Sequence, residues 1–191
     1  MTLPTIVLAS SSPRRKQLLQ MLGYPVVVHP HAIPELPLPR ETPIDYSRRL
    51  AQEKAQGVPG RLVLGADTIV VLDDRVLEKP RDGEDAVRML GQLQGRTHDV
   101  VSSVALVSNG TISVETDVTA VKFRPASEAF LRQYVATGEP MDKAGAYGIQ
   151  GYGAALVERI DGDFFGVMGL PVRLVLGLLE KAGFEYRFGG K

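Results

Sequence analysis

Arg14, Arg15 and Lys16 follow directly on Ser10-Ser11-Ser12-Pro13. Pro13 suits a first helical position, so the three cations fall in the first turn of a helix, whose free N–H groups already carry about half a positive charge. Each cation is disfavoured there by roughly 0.3–1 kcal/mol, unless a phosphate docks among the N–H groups, the Ser hydroxyls and the guanidiniums. The bland alternative is a capped helix whose long side chains bend into water. Asp67 is a second anomaly, a carboxylate inside the apolar run Leu62 to Leu72. Buried and unpaired it would be costly, so it needs a cation, a metal ion or an edge position facing a cleft. A strand-end Asp-Thr turn, with the carboxylate on nearby backbone N–H groups, satisfies the pattern equally well.

Other residues carry weaker signals. Lys54 and Lys79 could each face a cleft, yet by type each reads as surface charge. Glu35 is the lone carboxylate of Ile33 to Pro39, where prolines pre-set the backbone and reduce the entropy lost in holding a ligand; a solvated loop is its default reading. Gly145, Gly148, Gly151 and Gly153 do not form a dinucleotide fingerprint. With Tyr147 and Gln150 among them they offer open backbone, one aromatic ring and one amide, the groups needed to read a nucleobase edge, against the alternative of a plain flexible loop. His29, His31 and His98 show no metalloprotease-like spacing and read as loop or strand-end residues, with a catalytic base role as the lesser alternative.

The elements that must position these residues follow from periodicity and turn chemistry. Thr5 to Ala9 reads as a strand, then a helix capped by Ser12 stops at Gly23, and Val26 to Val28 can form a second strand. Pro30, Pro34, Pro37 and Pro39 enforce an extended loop before a helix from Thr42-Pro43 to about Gln56. Arg61 to Leu72 and Arg75 to Leu77 read as strands around the turn Asp73-Asp74, and Asp82 caps a helix to about Leu93. Two long strands, Arg96 to Val107 and Thr111 to Phe123, meet at the hairpin signal Asn109-Gly110. Ser127 starts a helix to about Ala136; a strand near Ala155 to Ile160 and a helix from about Leu170 to Ala182 complete the chain. The expected fold is α/β, a mixed central β-sheet flanked by helices, within a single domain over 1–191.

Composition narrows the chemistry. The 191 residues hold 22 Lys plus Arg against 22 Asp plus Glu, with 44% apolar residues and no Cys. Disulfides, Cys-zinc sites and thiol nucleophiles are therefore excluded, and a reducing compartment fits. Zero net charge argues against gripping a nucleic-acid polymer by bulk electrostatics, so a bound anion should be small and held locally. No stretch approaches the ~20 apolar residues needed to span a membrane. The expected location is the cytoplasm.

Five ordered motifs, LASSSPRR (Leu8 to Arg15), RLAQEKA (Arg49 to Ala55), LGADTIV (Leu64 to Val70), LEKPRD (Leu77 to Asp82) and DKAGAYGIQG (Asp142 to Gly151), resemble the Maf family of nucleoside triphosphate pyrophosphatases. Thr68 after Asp67, and the late loop AYGIQG, resemble its dTTP/UTP branch. The resemblance implies metal-dependent hydrolysis, with Mg²⁺ or Mn²⁺, of a nucleoside triphosphate to the monophosphate and pyrophosphate, in a cleft between two lobes. Pyrimidine substrates are implied, dTTP and UTP first, with CTP or modified nucleotides as extensions, and a homodimer is implied as the working state. It also implies that Asp67 is the catalytic acid-base residue and that Ser10, Arg14, Arg15, Lys54 and Lys79 line the phosphate site. Glu35 with Asp67 would hold the metal, and Arg14, Thr68 and Gln150 would govern base choice. The family's residue before Glu35 is usually acidic and is Pro34 here. Two other functions compete with hydrolysis: nucleotidyl transfer to an acceptor, and a nucleotide-binding regulator of cell division without turnover.

Overall fold

In the computed structural model, which describes residues 3–188, the chain begins with β1 (Ile6–Leu8) and α1 (Pro13–Met21), with Pro13 in the first turn. Gly23 ends that helix at a φ of 86°, a left-handed conformation that costs glycine little. β2 (Val26–Val28) and β3 (Leu62–Leu72) pair parallel with β1, and α2 (Pro43–Gln56) connects them. β4 (Arg75–Leu77) returns antiparallel on β3 through Asp73-Asp74, at φ 51° and 60°. Beyond α3 (Gly83–Leu93), β5 (Thr97–Ser108) and β6 (Thr111–Phe123) meet at Asn109-Gly110, at φ 49° and 82°. Positive φ at both central residues is the signature of the tight hairpin turn.

α4 (Glu128–Val135) leads into short 3₁₀ turns at Glu139–Asp142, Ala144–Ala146 and Tyr152–Leu156. β7 (Val157–Asp161) then lies antiparallel on β6, before α5 (Phe164–Val167) and α6 (Val172–Lys181). The described strands form a seven-stranded mixed sheet in the order β2-β1-β3-β5-β6-β7, with β4 on β3. This is the expected α/β architecture.

The described chain divides into two compact units. The first takes in the described residues up to Asp67, Ser102–Asp117, and those from Gly169 onward; the second takes in Thr68–Val101 and Val118–Met168. Leu8, Leu19, Leu50 and Leu64 are fully buried in the first unit. The second has its own core, in which Leu90, Leu93, Phe123, Leu131 and Leu156 cluster with Tyr134 and Tyr147.

Three local expectations differ from the structure. Ser12 stands at the N-cap of α1, but its side chain makes no capping bond; its N–H donates to Ser10 Oγ at 3.3 Å instead. β7 starts later than expected because Tyr152–Leu156 coils as a 3₁₀ turn. α5 was not foreseen, because its four residues are too few to show a period, and it forms on the cap from Gly166 N–H to Asp163 Oδ1 at 3.0 Å.

Candidate active site

The site grows from a close approach of α2 to β3. Thr42 caps α2 by accepting from the Asp45 N–H at 3.1 Å, and the helix turns Ala51 and Ala55, both buried, toward Gly65. A Cβ at Gly65 would lie 2.3 Å from the Ala51 carbonyl oxygen and 2.7 Å from the Ala55 nitrogen. Only glycine lets the helix backbone sit this near the strand. The next residues in line are Lys54 and Asp67, and Lys54 Nζ donates to Asp67 Oδ1 at 2.7 Å. The same ammonium lies 2.6 Å from Glu35 Oε1. Lys54 is 8% exposed and Asp67 5%. Residue type placed Lys54 at the surface and Glu35 in a solvated loop; the structure instead puts Lys54 inside, bridging two carboxylates, with Glu35 half-buried. It also places Asp67 within β3 on a cation, not in a strand-end turn.

A second clamp holds the proline-stiffened segment that carries Glu35. Arg49, one turn before Glu53 and Lys54, grips Glu41 with both ends of its guanidinium, Nε to Oε1 at 2.6 Å and Nη2 to Oε2 at 2.8 Å. Arg49 Nη2 also donates to the Leu36 carbonyl at 3.0 Å, and Glu41 Oε2 accepts from the Leu38 N–H at 2.8 Å. The hydrogen bond from Arg49 lowers the Glu41 pKa, and the bond to Glu41 raises that of Arg49. Such a bidentate pair fixes geometry as well as charge. The sequence reading missed it; the signal available was an Arg in the middle of α2 and a Glu at the end of the proline segment, eight positions before it.

Asp67 Oδ2 is buried and accepts no hydrogen bond. An orphaned carboxylate oxygen is costly unless something charged or polar meets it. Glu35 and Asp67, each already on Lys54, give two hard oxygen donors, while Pro34 is exposed and supplies none. Among the described residues no group of three His, Asp or Glu forms a metal cage. Two carboxylates without a cage suit Mg²⁺, which usually keeps waters and takes its remaining ligands from substrate phosphates. The donor set therefore fits a divalent cation.

Arg15 stands at the start of α1 with three of its donors engaged. Nε donates to the Gly169 carbonyl at 2.8 Å, and Nη1 to Ser10 Oγ at 3.0 Å and to the Ala66 carbonyl at 2.9 Å. Burial lowers its pKa, against the opposing pull of Asp67 and Glu35. Arg14 beside it is half-buried and repels it. Ser10, Glu35, Lys54 and Asp67, with Arg15, are thus brought together in the first unit.

Thr68, Lys79 and Gln150 belong to the second unit. Thr68 is half-buried, and Lys79 and Gln150 are exposed. Lys79 follows β4, and its neighbour Glu78 accepts from the Gly145 N–H at 3.2 Å, which ties the strand exit to the glycine-rich stretch. Tyr147, one of the two groups the sequence offers a nucleobase, is buried: its hydroxyl meets His98 Nε2 at 2.8 Å, and its ring packs edge-on to Phe123. Gln150 remains. The stretch is no loose loop either, because Glu139, absent from the sequence reading, accepts from the N–H groups of Tyr152 at 2.8 Å and Gly153 at 3.0 Å.

The first unit thus sets a buried Lys between two carboxylates, close to a helix start that carries two Arg side chains. The model of the Maf-like protein family matches residues 5–182, and the chain belongs to that family. It is 47% identical over 189 residues to a dTTP/UTP pyrophosphatase of Symbiobacterium thermophilum, covering 97% of each chain. It is 49% identical over 187 residues to a dTTP/UTP pyrophosphatase of Alcanivorax borkumensis, covering 95% of this chain and 97% of that one. The structure of the Staphylococcus aureus Ham1 protein matches 93% of this chain and 99% of its own, with a TM-score of 0.53 and 13% identity, a likeness of fold alone. No helix among the described residues is long and apolar enough to cross a membrane.

Proposed function

We propose that the protein is a nucleoside triphosphate pyrophosphatase that hydrolyses dTTP and UTP to the nucleoside monophosphate and pyrophosphate. The observation that carries this reading is the Lys54 ammonium on both Asp67 Oδ1 and Glu35, with Asp67 Oδ2 left open in a buried setting. Held through Oδ1, Asp67 has one oxygen aimed by its partner and one available to take a proton from water attacking the α-phosphorus. Family membership and relatives that carry the dTTP/UTP pyrophosphatase name support the same activity.

Ser10, Arg14 and Arg15 stand where helix N–H groups and guanidiniums suit phosphate oxygens. Lys54 offsets charge at Asp67 and Glu35 and keeps both side chains in register. A divalent cation, Mg²⁺ or Mn²⁺, held by Glu35 and Asp67 would supply charge neutralisation for the phosphates and for the departing pyrophosphate. Lys79 as a further phosphate ligand, and Thr68 with Gln150 as readers of the base, enter on the resemblance. Uracil and thymine present two acceptors around one donor, and an amide with a hydroxyl can answer both kinds. CTP and modified pyrimidine nucleotides extend the same reading, as does a cytoplasmic homodimer of one Maf-like domain that acts on free nucleotides, away from nucleic-acid polymers and membranes.

The test is pyrophosphate release across a panel of nucleoside triphosphates with Mg²⁺, Mn²⁺ or excess EDTA. Pyrophosphate from dTTP and UTP, abolished by EDTA, is the expected result. Tight binding of nucleotide without release would replace the enzyme with a nucleotide-binding regulator.

A further inference from the structure

We propose that Glu139 is a positioning residue for base selection, its carboxylate holding the segment Gly148–Gly153 in the one shape that presents Gln150 to the substrate. This inference rests on the pyrophosphatase reading and on the role given there to Gln150.

Both sides of Gln150 are tied to the same carboxylate. After it in the chain, the Tyr152 N–H donates to Glu139 Oε2 at 2.8 Å and the Gly153 N–H to Oε1 at 3.0 Å. Before it, the Gly148 N–H donates to the Tyr134 hydroxyl at 3.2 Å, and that hydroxyl donates to Glu139 Oε1 at 2.9 Å. Glu139 is held in turn from its own backbone, since Lys143 Nζ donates to its carbonyl at 2.6 Å. Burial pushes the Glu139 carboxyl up, but the bonds from Gly153, Tyr152 and Tyr134 outweigh it and hold the pKa below the ordinary value. The clamp is therefore charged at neutral pH.

The glycine spacing of the segment is explained by this clamp. A Cβ at Gly151 would lie 2.3 Å from Glu139 Oε2, and one at Gly148 would lie 2.7 Å from the Lys143 side chain. At Gly153 a Cβ would come within 2.4 Å of the Gly148 carbonyl oxygen and 2.8 Å of the Tyr134 hydroxyl. Backbone wraps the carboxylate so closely that side chains have no room on that side. Gln150, on the contrary, is exposed, and so is Tyr152, at 72%. A polar side chain on a free loop would pay an ordering cost at each binding event; one carried on a clamped loop is already placed.

Glu139→Gln keeps size and one acceptor but loses the charge and the ability to accept at both oxygens. Steady-state kinetics of this variant and the wild type are compared on UTP, dTTP and ribose 5′-triphosphate, which carries the phosphates without a base. The expected result is a fall of ~10-fold or more in the ratio of kcat/KM for UTP to that for ribose 5′-triphosphate, carried by KM. Hydrogen exchange at the Tyr152 and Gly153 amides should quicken in the same variant. Gly151→Ala approaches the contact from the other side, since the three atoms nearest its new methyl all belong to the Glu139 carboxylate, and it should lower the same ratio even if Glu139→Gln fails to fold. An equal loss on all three substrates in both variants, or no loss in either, would overturn the proposal. Failure of the pyrophosphatase reading would look different, with the wild type releasing pyrophosphate from none of the three.

Discussion

Lys54 carries an unusual burden for its type, a buried ammonium whose two partners are both acidic. Breaking a buried pair on one side is far more damaging than removing both partners, because the remaining charge is left without compensation. Lys54→Met should therefore cost about 3–5 kcal/mol in denaturant unfolding. The same change on an Asp67→Asn background should cost much less; strictly additive costs would mean the pair does not couple. Asp67→Asn alone should stay folded and lose at least ~10²-fold in turnover, which circular dichroism and a pyrophosphate assay would check together. Near wild-type turnover in a folded Asp67→Asn protein would leave Asp67 a purely structural residue. At this scale the sequence showed that Asp67 needed a partner but not which one. Lys54 lies thirteen positions away on another element, and a Lys in a polar stretch has no local mark of burial. Tyr147 misled in the opposite sense, since its glycine-rich surroundings suggest an open ring and the fold buries it against His98 and Phe123.

At the scale of elements, the approach of α2 to β3 and the seating of α1 decide whether the site exists. Gly65→Ala would place a methyl against backbone atoms of α2 that cannot yield without moving the helix. The expected outcome is a loss of about 1–3 kcal/mol together with loss of turnover, read by chemical denaturation and assay; an unchanged protein would show that the close packing is not needed. Arg15 acts across several segments, since its guanidinium satisfies Ser10 Oγ and the Ala66 and Gly169 carbonyls. The expectation that a cation at this helix start is disfavoured unless a phosphate docks, or else bends into water, misses these bonds. Arg15→Ala should destabilise the fold by about 1–3 kcal/mol through orphaned acceptors, and more than Arg14→Ala does in a thermal or urea melt. Equal stability of the two variants would contradict that division. Most elements were legible because their punctuation is local: Pro13 and Gly23 bracket α1, and Asn109-Gly110 makes the hairpin. The clamps Arg49–Glu41 and Glu139 on Gly153 were not, because each joins residues whose separation, eight and fourteen positions, matches no periodic pattern.

For the whole molecule, the pH response between neutrality and pH 4 should come chiefly from one buried histidine. His98 is 3% exposed, and burial lowers its pKa from 6.5 to about 4. A depressed folded-state value means that the neutral ring is favoured on folding. Its stabilising contribution is complete above pH 6.5 and is lost as pH falls from there toward 4. On the order of 3 kcal/mol should disappear across that window, seen as a falling denaturation midpoint that His98→Gln largely removes. A wild-type midpoint flat between pH 6.5 and 4 would contradict the neutral, buried ring.

The role proposed for Asp67 and its neighbours is to aim water at the α-phosphorus of a nucleoside triphosphate. UTP hydrolysed in ¹⁸O-labelled water with Mg²⁺ tests it most directly, with the products resolved by mass spectrometry. The expected products are UMP carrying one ¹⁸O and unlabelled pyrophosphate. Label in orthophosphate with UDP as co-product, or in pyrophosphate with unlabelled UMP, would contradict that role.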